Sequence, residues 1–346
     1  MPSPAPHATV AGQGSGVADA GTPLERAEAL AERVLPQRTP KRRMLVIVNP
    51  YATTVSDRLK NLVVYALQSR YAVEAIDTEK QGHATQICRE AAREGYDVVV
   101  AFGGDGTVNE AANGLVGSET PLTALPGGST NVWCRSLGLP NDVVDATERL
   151  LRIADDFRPR RVDLGRMNDR VFVFASGVGL DASVVERVDA HPRRKARYGA
   201  WYYSLAGITI YNRRYLVNPP QMRVRGGGRE LDAVTVVVQN ADPFTYFARR
   251  PIRVVEPAGL DNGSLSAAVL KRATAPAVLT LIPRLISGRA KSVMRHRQVE
   301  GLPGLRGFRV ESTDGRPLPV QVDGDFIGLC EWVDYDAVPL GLLAIA

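Results

Sequence analysis

The sequence predicts an α/β domain built on a parallel sheet, followed by a β-rich domain of the β-sandwich type, with the active site in the cleft between them. First, strand-like and helix-like segments alternate from residue 44 to residue 153 at the spacing of βαβ units. Second, short strand-like runs dominate after residue 155. Third, two glycine-rich turns, at 103–110 and 126–135, each lie between a strand and a helix.

The elements of the first domain follow from local pattern. Five consecutive apolar residues, Val98 to Phe102, are typical of a strand buried on both faces of a parallel sheet. Asp142 is placed to cap a helix whose apolar residues recur on one side. The expected strands are 44–48, 72–76, 98–102 and 122–125, and the expected helices are 56–69, 83–93, one that begins near Thr107, 131–137 and 142–153.

The rest of the chain divides into a tail and a second domain. Residues 1–40 are expected to be a disordered tail with one short helix near 24–35, residues 41–154 a nucleotide-binding domain, and residues 155–346 a β-rich domain. Its last strand can return to the first domain. The expected strands there are 160–164, 171–176, 221–224, 233–238, 264–270, 308–311 and 318–322, with helical insertions near 181–215 and 276–293.

Composition excludes several classes of protein. No apolar run approaches the ~20 residues needed to span a bilayer, and the first residues lack the pattern of a secretory signal. The scattered Cys88, Cys134 and Cys330 have no metal-binding spacing and fit a reducing cytoplasm. A net charge of +6 allows an anionic partner such as a nucleotide, a nucleic acid or a membrane surface.

The first glycine-rich turn is suited to phosphate. Gly103, Gly104 and Gly106 allow close backbone approach, and a helix that starts near Thr107 directs N–H groups at one spot. A tight turn without a ligand would have the same glycines. Asp105 favours the phosphate interpretation, because an acid beside such a turn is repulsive unless it meets a metal or a substrate hydroxyl.

The second glycine-rich turn, 126–135, follows a neighbouring strand of the expected sheet. Ligands of open α/β sheets bind at the carboxyl edge, where two such turns lie side by side. The pair therefore predicts a site for the phosphates of a nucleotide.

These motifs, in this order, resemble those of the bacterial diacylglycerol kinase-like lipid kinases, which share a catalytic domain with sphingosine kinases and a distant fold relationship with NAD kinases. The resemblance covers about residues 43 to 340. The matching segments are 48–50, 77–78, 82–84, 103–110, 126–135, 177–182, 260–265 and 322–325.

The resemblance implies that ATP binds at the two turns, with Ser129 at a position where the family usually has Thr. Asn131 is open to two interpretations, a helix cap or a ligand contact, and Arg135 is either part of the motif or a solvated charge. The implied ATP-binding residues are Asn49, Thr78, Gly103, Gly104, Asp105, Gly106, Thr107, Val108, Asn109, Glu110, Gly128, Ser129 and Asn131.

Two carboxylates are candidates for the catalytic base. The resemblance favours Asp323, in an Asp-Gly-Asp segment that is usually Asp-Gly-Glu in the family, because phosphorylation of an alcohol requires removal of its proton. From the residues alone, Asp323-Gly324 is a strong hairpin-turn pair. Asp105 is the rival base, and it is also a candidate to organise Mg²⁺ and phosphate.

Two magnesium ions are implied by the resemblance. One accompanies ATP at the active site. The other is structural in the family and would be held near Gly259, Asn262 and Ser264, but this chain has Asn262 where the family places Asp. Asn is a weaker oxygen ligand for a hard cation, and Asp261 can substitute for it if the loop shifts, so the second site stays open.

Two segments are candidates for lipid and membrane contact. Residues 191–216 combine basic, aromatic and aliphatic side chains, and residues 281–297 carry five Arg and Lys residues without an acid. A membrane or substrate mouth and a purely structural role explain the first segment equally well, and nucleic-acid binding less well. Peripheral contact with the inner face of an anionic membrane, by a cytoplasmic protein, is the expectation.

The function expected from the resemblance is a kinase that uses ATP and Mg²⁺ to phosphorylate a lipid hydroxyl, with diacylglycerol as the acceptor. The alternatives are a sphingosine or ceramide kinase, an NAD kinase, and a non-catalytic relative that binds nucleotide or membrane. The sequence names neither the lipid nor the oligomeric state.

Overall fold

The computed structural model describes residues 41–191, 200–247 and 250–346. The expected tail and its short helix lie outside these residues. The helices are α1 (Asp57–Gln68), α2 (His83–Arg93), α3 (Asp105–Leu115), α4 (Val132–Ser136), α5 (Val143–Arg152), α6 (Leu180–Asp189), α7 (Ala200–Ile210), α8 (Ala275–Ile286) and α9 (Ala290–Met294), and a π-helical turn (Tyr211–Tyr215) extends α7.

The strands alternate with helices in the first half of the chain and with other strands in the second. They are β1 (Arg43–Val48), β2 (Ala72–Asp77), β3 (Val98–Gly103), β4 (Leu122–Pro126), β5 (Arg160–Met167), β6 (Arg170–Phe172), β7 (Ala175–Val178), β8 (Met222–Gly226), β9 (Arg229–Ala233), β10 (Thr235–Gln239), β11 (Thr245–Phe247), β12 (Arg250–Ile252), β13 (Leu265–Leu270), β14 (Val299–Leu305), β15 (Gly307–Ser312), β16 (Leu318–Val322), β17 (Asp325–Cys330) and β18 (Trp332–Ala344).

The first four strands form the expected parallel sheet, in the order β2-β1-β3-β4. Strand β3 is buried along its whole length. Val99 and Ala101 pack into one hydrophobic core, while Val100 and Phe102 pack into another on the opposite face. The continuous apolar run thus serves two cores at once, as the sequence predicts.

Strand β18 joins the parallel sheet to the β-rich part of the chain. It runs parallel to β4, pairing Ala344 with Leu122, and antiparallel to β5 and β15. A second, antiparallel sheet has the order β14-β13-β10-β7-β16-β17. Side chains of the two sheets share one core, which includes Val236 and Val320 from the second sheet and Val310 and Tyr335 from the first. The result is the expected β-sandwich.

Several boundaries differ from the sequence expectation. Helix α3 begins at Asp105 with Gly104 as its N-cap, rather than near Thr107. The single strand expected over 171–176 is divided between β6 and β7. Asp142 caps α5 as expected, because its carboxylate accepts bonds from the N–H groups of Val144 and Asp145.

Candidate active site

The two glycine-rich turns touch each other through their backbones. The N–H of Gly127 donates to the carbonyl of Gly103 at 2.8 Å. A Cβ added to Gly128 would lie 2.9 Å from the Cα of Gly104, which no real side chain tolerates. Glycine is therefore required where the turns meet, and together they form one continuous backbone surface.

Asp105 locks the second turn to the first. Its two carboxylate oxygens accept hydrogen bonds from the N–H groups of Val132 and Trp133, at 3.0 and 3.1 Å. Burial raises the pKa of this carboxyl, while those N–H groups and Arg135 lower it. Asp105 thus caps α4 from the neighbouring turn, a role that the sequence pattern did not reveal.

Asn131 stands at the N-cap position of α4, and its contact with a ligand stays a prediction. Its backbone has φ of 48°, and its side chain makes no cap bond to α4. Instead the amide holds both backbone groups of Gly128, by accepting from its N–H at 2.9 Å and donating to its carbonyl at 2.8 Å. Arg135 is not a solvated charge, since its guanidinium lies 4.3 Å from the ring centre of Tyr246.

Glu110 and Asn49 fix the surroundings of the first turn. The carboxylate of Glu110 accepts from the N–H groups of Gly82 and Ala84, at 2.7 and 3.2 Å, and so holds the start of α2. The amide of Asn49 donates to the Thr107 hydroxyl at 3.2 Å. The polar side chains of Glu110 and Asn49 therefore stabilise the first turn and the start of α2.

The Asp323-Gly324 pair forms the two-residue turn of the β16–β17 hairpin, with φ of 48° and 82°. The hairpin interpretation is therefore right about the backbone. The Asp323 side chain is 3% exposed. Burial raises its pKa to about 7, although the N–H groups that point at the carboxylate lower it.

Four N–H groups point at the two oxygens of Asp323. Oδ1 accepts from the backbone of Phe174 and Ala175, at 2.9 and 3.1 Å. Oδ2 accepts from the backbone of Val173 and the amide of Asn109, both at 2.7 Å. A carboxylate has about four acceptor positions, so all of them are engaged. The expected role of Asp323 as catalytic base stays a prediction.

Arg170 fixes the orientation of the Asn109 amide. Its Nε and Nη2 donate to Oδ1 of Asn109 at 3.1 and 2.7 Å. Because arginine only donates, the amide oxygen must face it, and Nδ2 must face Asp323. No motif in the sequence pointed to Arg170, which lies 61 positions from its partner.

Asp325 is the carboxylate of the hairpin that faces the first glycine-rich turn. It is half-buried and lines the same cavity as that turn. A Cβ placed on Gly106 would lie 2.7 Å from its Oδ2. The second carboxylate of the Asp-Gly-Asp segment, rather than the first, therefore adjoins the backbone expected to bind phosphate.

Asp181 is a further carboxylate, half-buried at the start of α6. Gln321 donates to its Oδ2 at 2.6 Å, and burial raises its pKa to about 6. The sequence analysis had this residue within a family motif but gave it no role. Its side chain lines the same cavity as the first glycine-rich turn.

One cavity, of about 1780 Å³, joins these groups. Its polar end contains most of the expected ATP-binding residues, namely Asn49, Thr78, Gly104, Asp105, Gly106, Thr107, Glu110, Gly128 and Ser129. Its other end is an apolar chamber formed by residues such as Val237, Leu270 and Val299 of the second sheet and Leu281 and Leu285 of α8. Asp323 and Asp325 line the cavity as well.

Four expected ATP-binding residues do not line this cavity. Val108 packs into the hydrophobic core, Asn109 contacts Asp323, Asn131 holds Gly128, and Gly103 lies against Gly127. Their direct contact with ATP stays a prediction. They support the residues that do face the cavity.

The loop expected to hold a structural magnesium ion is bonded directly to Asp163. The N–H of Gly263 donates to one oxygen of this carboxylate, and the N–H of Leu340 donates to the other. The carboxylate is thus satisfied by backbone N–H groups, which repel a cation. Within the ranges described, no three His, Cys, Asp or Glu side chains form a metal-binding group. The magnesium ion expected at Gly259, Asn262 and Ser264 stays a prediction.

Two family models match successive parts of the chain. A diacylglycerol kinase catalytic domain matches residues 43–167, and a YegS C-terminal NAD kinase beta sandwich-like domain matches residues 175–342. A solved structure of a candidate diacylglycerol kinase from Bacillus anthracis str. Sterne superposes with a TM-score of 0.68, at 25% identity, over 89% of this chain and 98% of that one.

Curated relatives are similar over a shorter length. A diacylglycerol kinase of Staphylococcus aureus (strain bovine RF122 / ET3-1) is 36% identical over 178 residues, which is 49% of this chain and 53% of the relative. One of Staphylococcus haemolyticus (strain JCSC1435) is 31% identical over 156 residues, or 44% and 45% of the two lengths. The chain thus spans about half the length of these relatives. With its two successive domains matched, the chain belongs to the diacylglycerol kinase-like lipid kinase family.

Proposed function

We propose that the chain is a lipid kinase that transfers the γ-phosphoryl group of ATP to the hydroxyl of diacylglycerol, giving phosphatidic acid. The observation that carries the proposal is the single cavity, in which two glycine-rich turns, a pair of carboxylates and an apolar chamber follow one another. A nucleotide kinase for soluble acceptors has no need of such a chamber. The relatives named diacylglycerol kinase support the same reaction.

The polar end of the cavity suits the phosphates of ATP. Backbone N–H groups at Gly104 and Gly106 and the start of α3 favour anionic oxygens, and the hydroxyls of Thr107 and Ser129 add donors. These hydroxyls and the Asp325 carboxylate are oxygen ligands of the kind that Mg²⁺ prefers. The ion would neutralise charge on the phosphates of ATP.

Asp325 is the residue that we assign as general base, in place of Asp323. Its carboxylate takes the proton of the lipid hydroxyl, the freed oxygen bonds to the γ-phosphorus, and the bond from that phosphorus to the β-phosphate oxygen breaks, releasing ADP. Asp323 and Asp105 hold the hairpin and the second turn in place. We assign these roles because four N–H groups already donate to the Asp323 carboxylate, which has about four acceptor positions.

The proposal is tested by transfer of labelled γ-phosphate from Mg-ATP into extractable lipid. Diacylglycerol, ceramide and sphingosine are presented separately in mixed micelles, with NAD as a soluble acceptor. We expect label in diacylglycerol. Label in ceramide or sphingosine alone would change the substrate, label in NAD alone would overturn the lipid assignment, and no transfer by a protein that binds ATP would indicate a non-catalytic relative.

A further inference from the structure

A second cavity, of about 390 Å³, lies where α2, α3 and the start of β6 meet. We call it the arginine pocket, because Arg89 of α2 and Arg170 of β6 both line it. Thr85 lies one turn before Arg89 on α2, and Glu110 and Asn113 lie one turn apart on α3. All of its lining residues are polar or glycine. The pocket is therefore suited to a polar ligand.

The Arg170 guanidinium carries a positive charge that no carboxylate balances in the described structure. The residue is half-buried, and its Nε and Nη2 donate to the neutral amide oxygen of Asn109. Within residues 41–191, 200–247 and 250–346, no group accepts from its Nη1 and no acid pairs with it. Because guanidinium groups prefer carboxylate or phosphate partners, the free edge of Arg170 favours an anion.

Arg89 brings a second cation to the arginine pocket. It is exposed, and no carboxylate in the described part of the chain pairs with it. Glu110, the acid among the lining residues, accepts hydrogen bonds from the N–H groups of Gly82 and Ala84 at the start of α2, which offset part of its charge. Two guanidinium groups thus accompany one carboxylate, and the balance of charge favours a dianion over a monoanion.

The arginine pocket adjoins the active-site cavity. Gln81 and Glu110 line both of them. Arg170 also orients the Asn109 amide, which donates to Asp323 at the turn of the β16–β17 hairpin. This hairpin carries the residue that we assign as general base. An anion at the free edge of Arg170 is therefore linked to the active site by successive hydrogen bonds, without contact with ATP.

We propose that the arginine pocket binds a phosphate dianion between Arg89 and Arg170, and that the bound anion speeds phosphoryl transfer by holding Arg170 against Asn109. The effect on the rate rests on the proposed function, whereas the binding of the anion does not. The two guanidinium groups supply charge-assisted hydrogen bonds to the phosphate oxygens. With the anion in place, Arg170 is held from both sides, and the hairpin is held more firmly through Asn109.

Inorganic phosphate, a small phosphorylated molecule and the headgroup of a phospholipid share this chemistry. No helix among the described residues has the length and apolar character to cross a bilayer. The arginine pocket has no aliphatic or aromatic lining residue that an acyl chain could contact. A soluble phosphate therefore suits the pocket better than a phospholipid does.

The site is tested by calorimetric titration with sodium phosphate. The active-site cavity is first filled with Mg²⁺ and adenylyl imidodiphosphate, a non-hydrolysable analogue of ATP, so that the glycine-rich turns do not bind the added phosphate. The native chain is compared with Arg89→Gln and with a matched control, Arg93→Gln, which changes another exposed arginine of α2 outside the pocket. Glycerol 3-phosphate and a short-chain phosphatidic acid are titrated in parallel.

Phosphate should bind the native chain and the control with the same affinity, and Arg89→Gln should bind it about tenfold more weakly, because one charge-assisted contact is lost. Equal affinity in all three chains, or loss of phosphate binding when the analogue fills the cavity, would overturn the site. Phosphatidic acid that binds through Arg89 while glycerol 3-phosphate does not bind would overturn the soluble ligand in favour of a lipid headgroup.

The effect on the rate is measured as kcat for diacylglycerol at saturating ATP, with and without phosphate at constant ionic strength. Phosphate should raise kcat at least about twofold in the native chain and the control, because a better-held hairpin positions the base more often. Arg89→Gln should have the native kcat without phosphate and gain little when it is added. A native kcat that phosphate does not raise would overturn the effect on the rate. Phosphate binding through Arg89 by a chain that phosphorylates no lipid would confirm the site and overturn the proposed kinase.

Discussion

The amide of Asn109 donates a hydrogen bond of 2.7 Å to the carboxylate of Asp323, although 214 positions separate them in the chain. Asn109 belongs to α3, which starts at the first glycine-rich turn, and Asp323 forms the turn of the β16–β17 hairpin. This bond therefore connects the backbone proposed to bind phosphate with the hairpin that carries Asp325. The position of one depends on the position of the other.

Asp323→Asn should destabilise the protein. The substituted amide puts an NH₂ group where an oxygen now accepts two N–H donors, so both donors lose their partner. We expect the free energy of unfolding to fall by about 2–4 kcal/mol. Denaturant unfolding measures this free energy. The comparison is Asp261→Asn, an isosteric change on the loop where a structural magnesium ion was expected. An Asp323 variant as stable as the native chain would show that the four bonds contribute nothing.

Arg170→Met should lower kcat without weakening the binding of ATP. Without the two bonds from the guanidinium, the Asn109 oxygen keeps only the bond from Asn113, so the amide and the hairpin that it contacts are held less firmly. A displacement of this kind costs about tenfold to hundredfold in rate. Steady-state kinetics should show the loss in kcat with KM for ATP within about twofold. Arg166→Met, an exposed residue on β5, should retain native kinetics. An equal loss of kcat in both variants would contradict the positioning role of Arg170.

Gly128→Ala should lower the stability of the protein, whereas Gly104→Ala should lower its affinity for ATP. A Cβ on Gly128 would lie 2.9 Å from the Cα of Gly104, so the turns must separate, at a cost of about 1–3 kcal/mol in stability. A Cβ on Gly104 meets its nearest neighbour at 3.6 Å, an ordinary contact. That variant should keep its Tm but lose about tenfold in ATP affinity, because the methyl group obstructs the phosphates. Calorimetric titration with ATP and thermal unfolding separate the two effects, and a Gly104 variant with native affinity would place ATP elsewhere.

Asp181→Asn should stabilise the protein near neutral pH. Burial raises the pKa of Asp181 from 3.8 to about 6, so the folded state favours its neutral form. Stability from this residue is complete below pH 3.8 and is lost as the pH rises through 6. Because the variant has no carboxylate to ionise, its free energy of unfolding should be higher by about 1–2 kcal/mol, with allowance for screening by water in the cavity. The difference in Tm between variant and native chain should be small at pH 4 and largest above about pH 6.5. A difference that does not change with pH would contradict the shifted pKa.

The elements that the sequence predicts well are those with continuous local pattern. Strand β3 and helix α2 match their expected bounds closely, because their apolar residues recur at the period of the element. The range of strand β18 was not expected, although a last strand that returns to the first domain was. It contains Pro339, and its register with β5 shifts between Val338 and Leu342, so the apolar alternation is broken where the strand bends.

The sequence shows the glycine-rich turns of the candidate site but not the hydrogen bonds between distant residues. The glycine-rich turns can be recognised from the sequence because their residues lie close together in the chain. The bonds that occupy Asp323 come from residues 148 to 214 positions away in the chain, and the partner of Arg170 lies 61 positions from it. Such partners depend on how the two sheets pack. The sequence alone therefore favours Asp323 as base, whereas the hydrogen bonds favour Asp325.

The most direct test of the account is the rate of phosphoryl transfer from ATP to diacylglycerol by the Asp325→Asn variant. This substitution removes the proposed base while leaving the hydrogen bonds of Asp323 in place. We predict that kcat falls by about 10²–10⁴-fold while the variant still binds ATP. An Asp325→Asn variant that phosphorylates diacylglycerol at the native rate would contradict the assignment of Asp325.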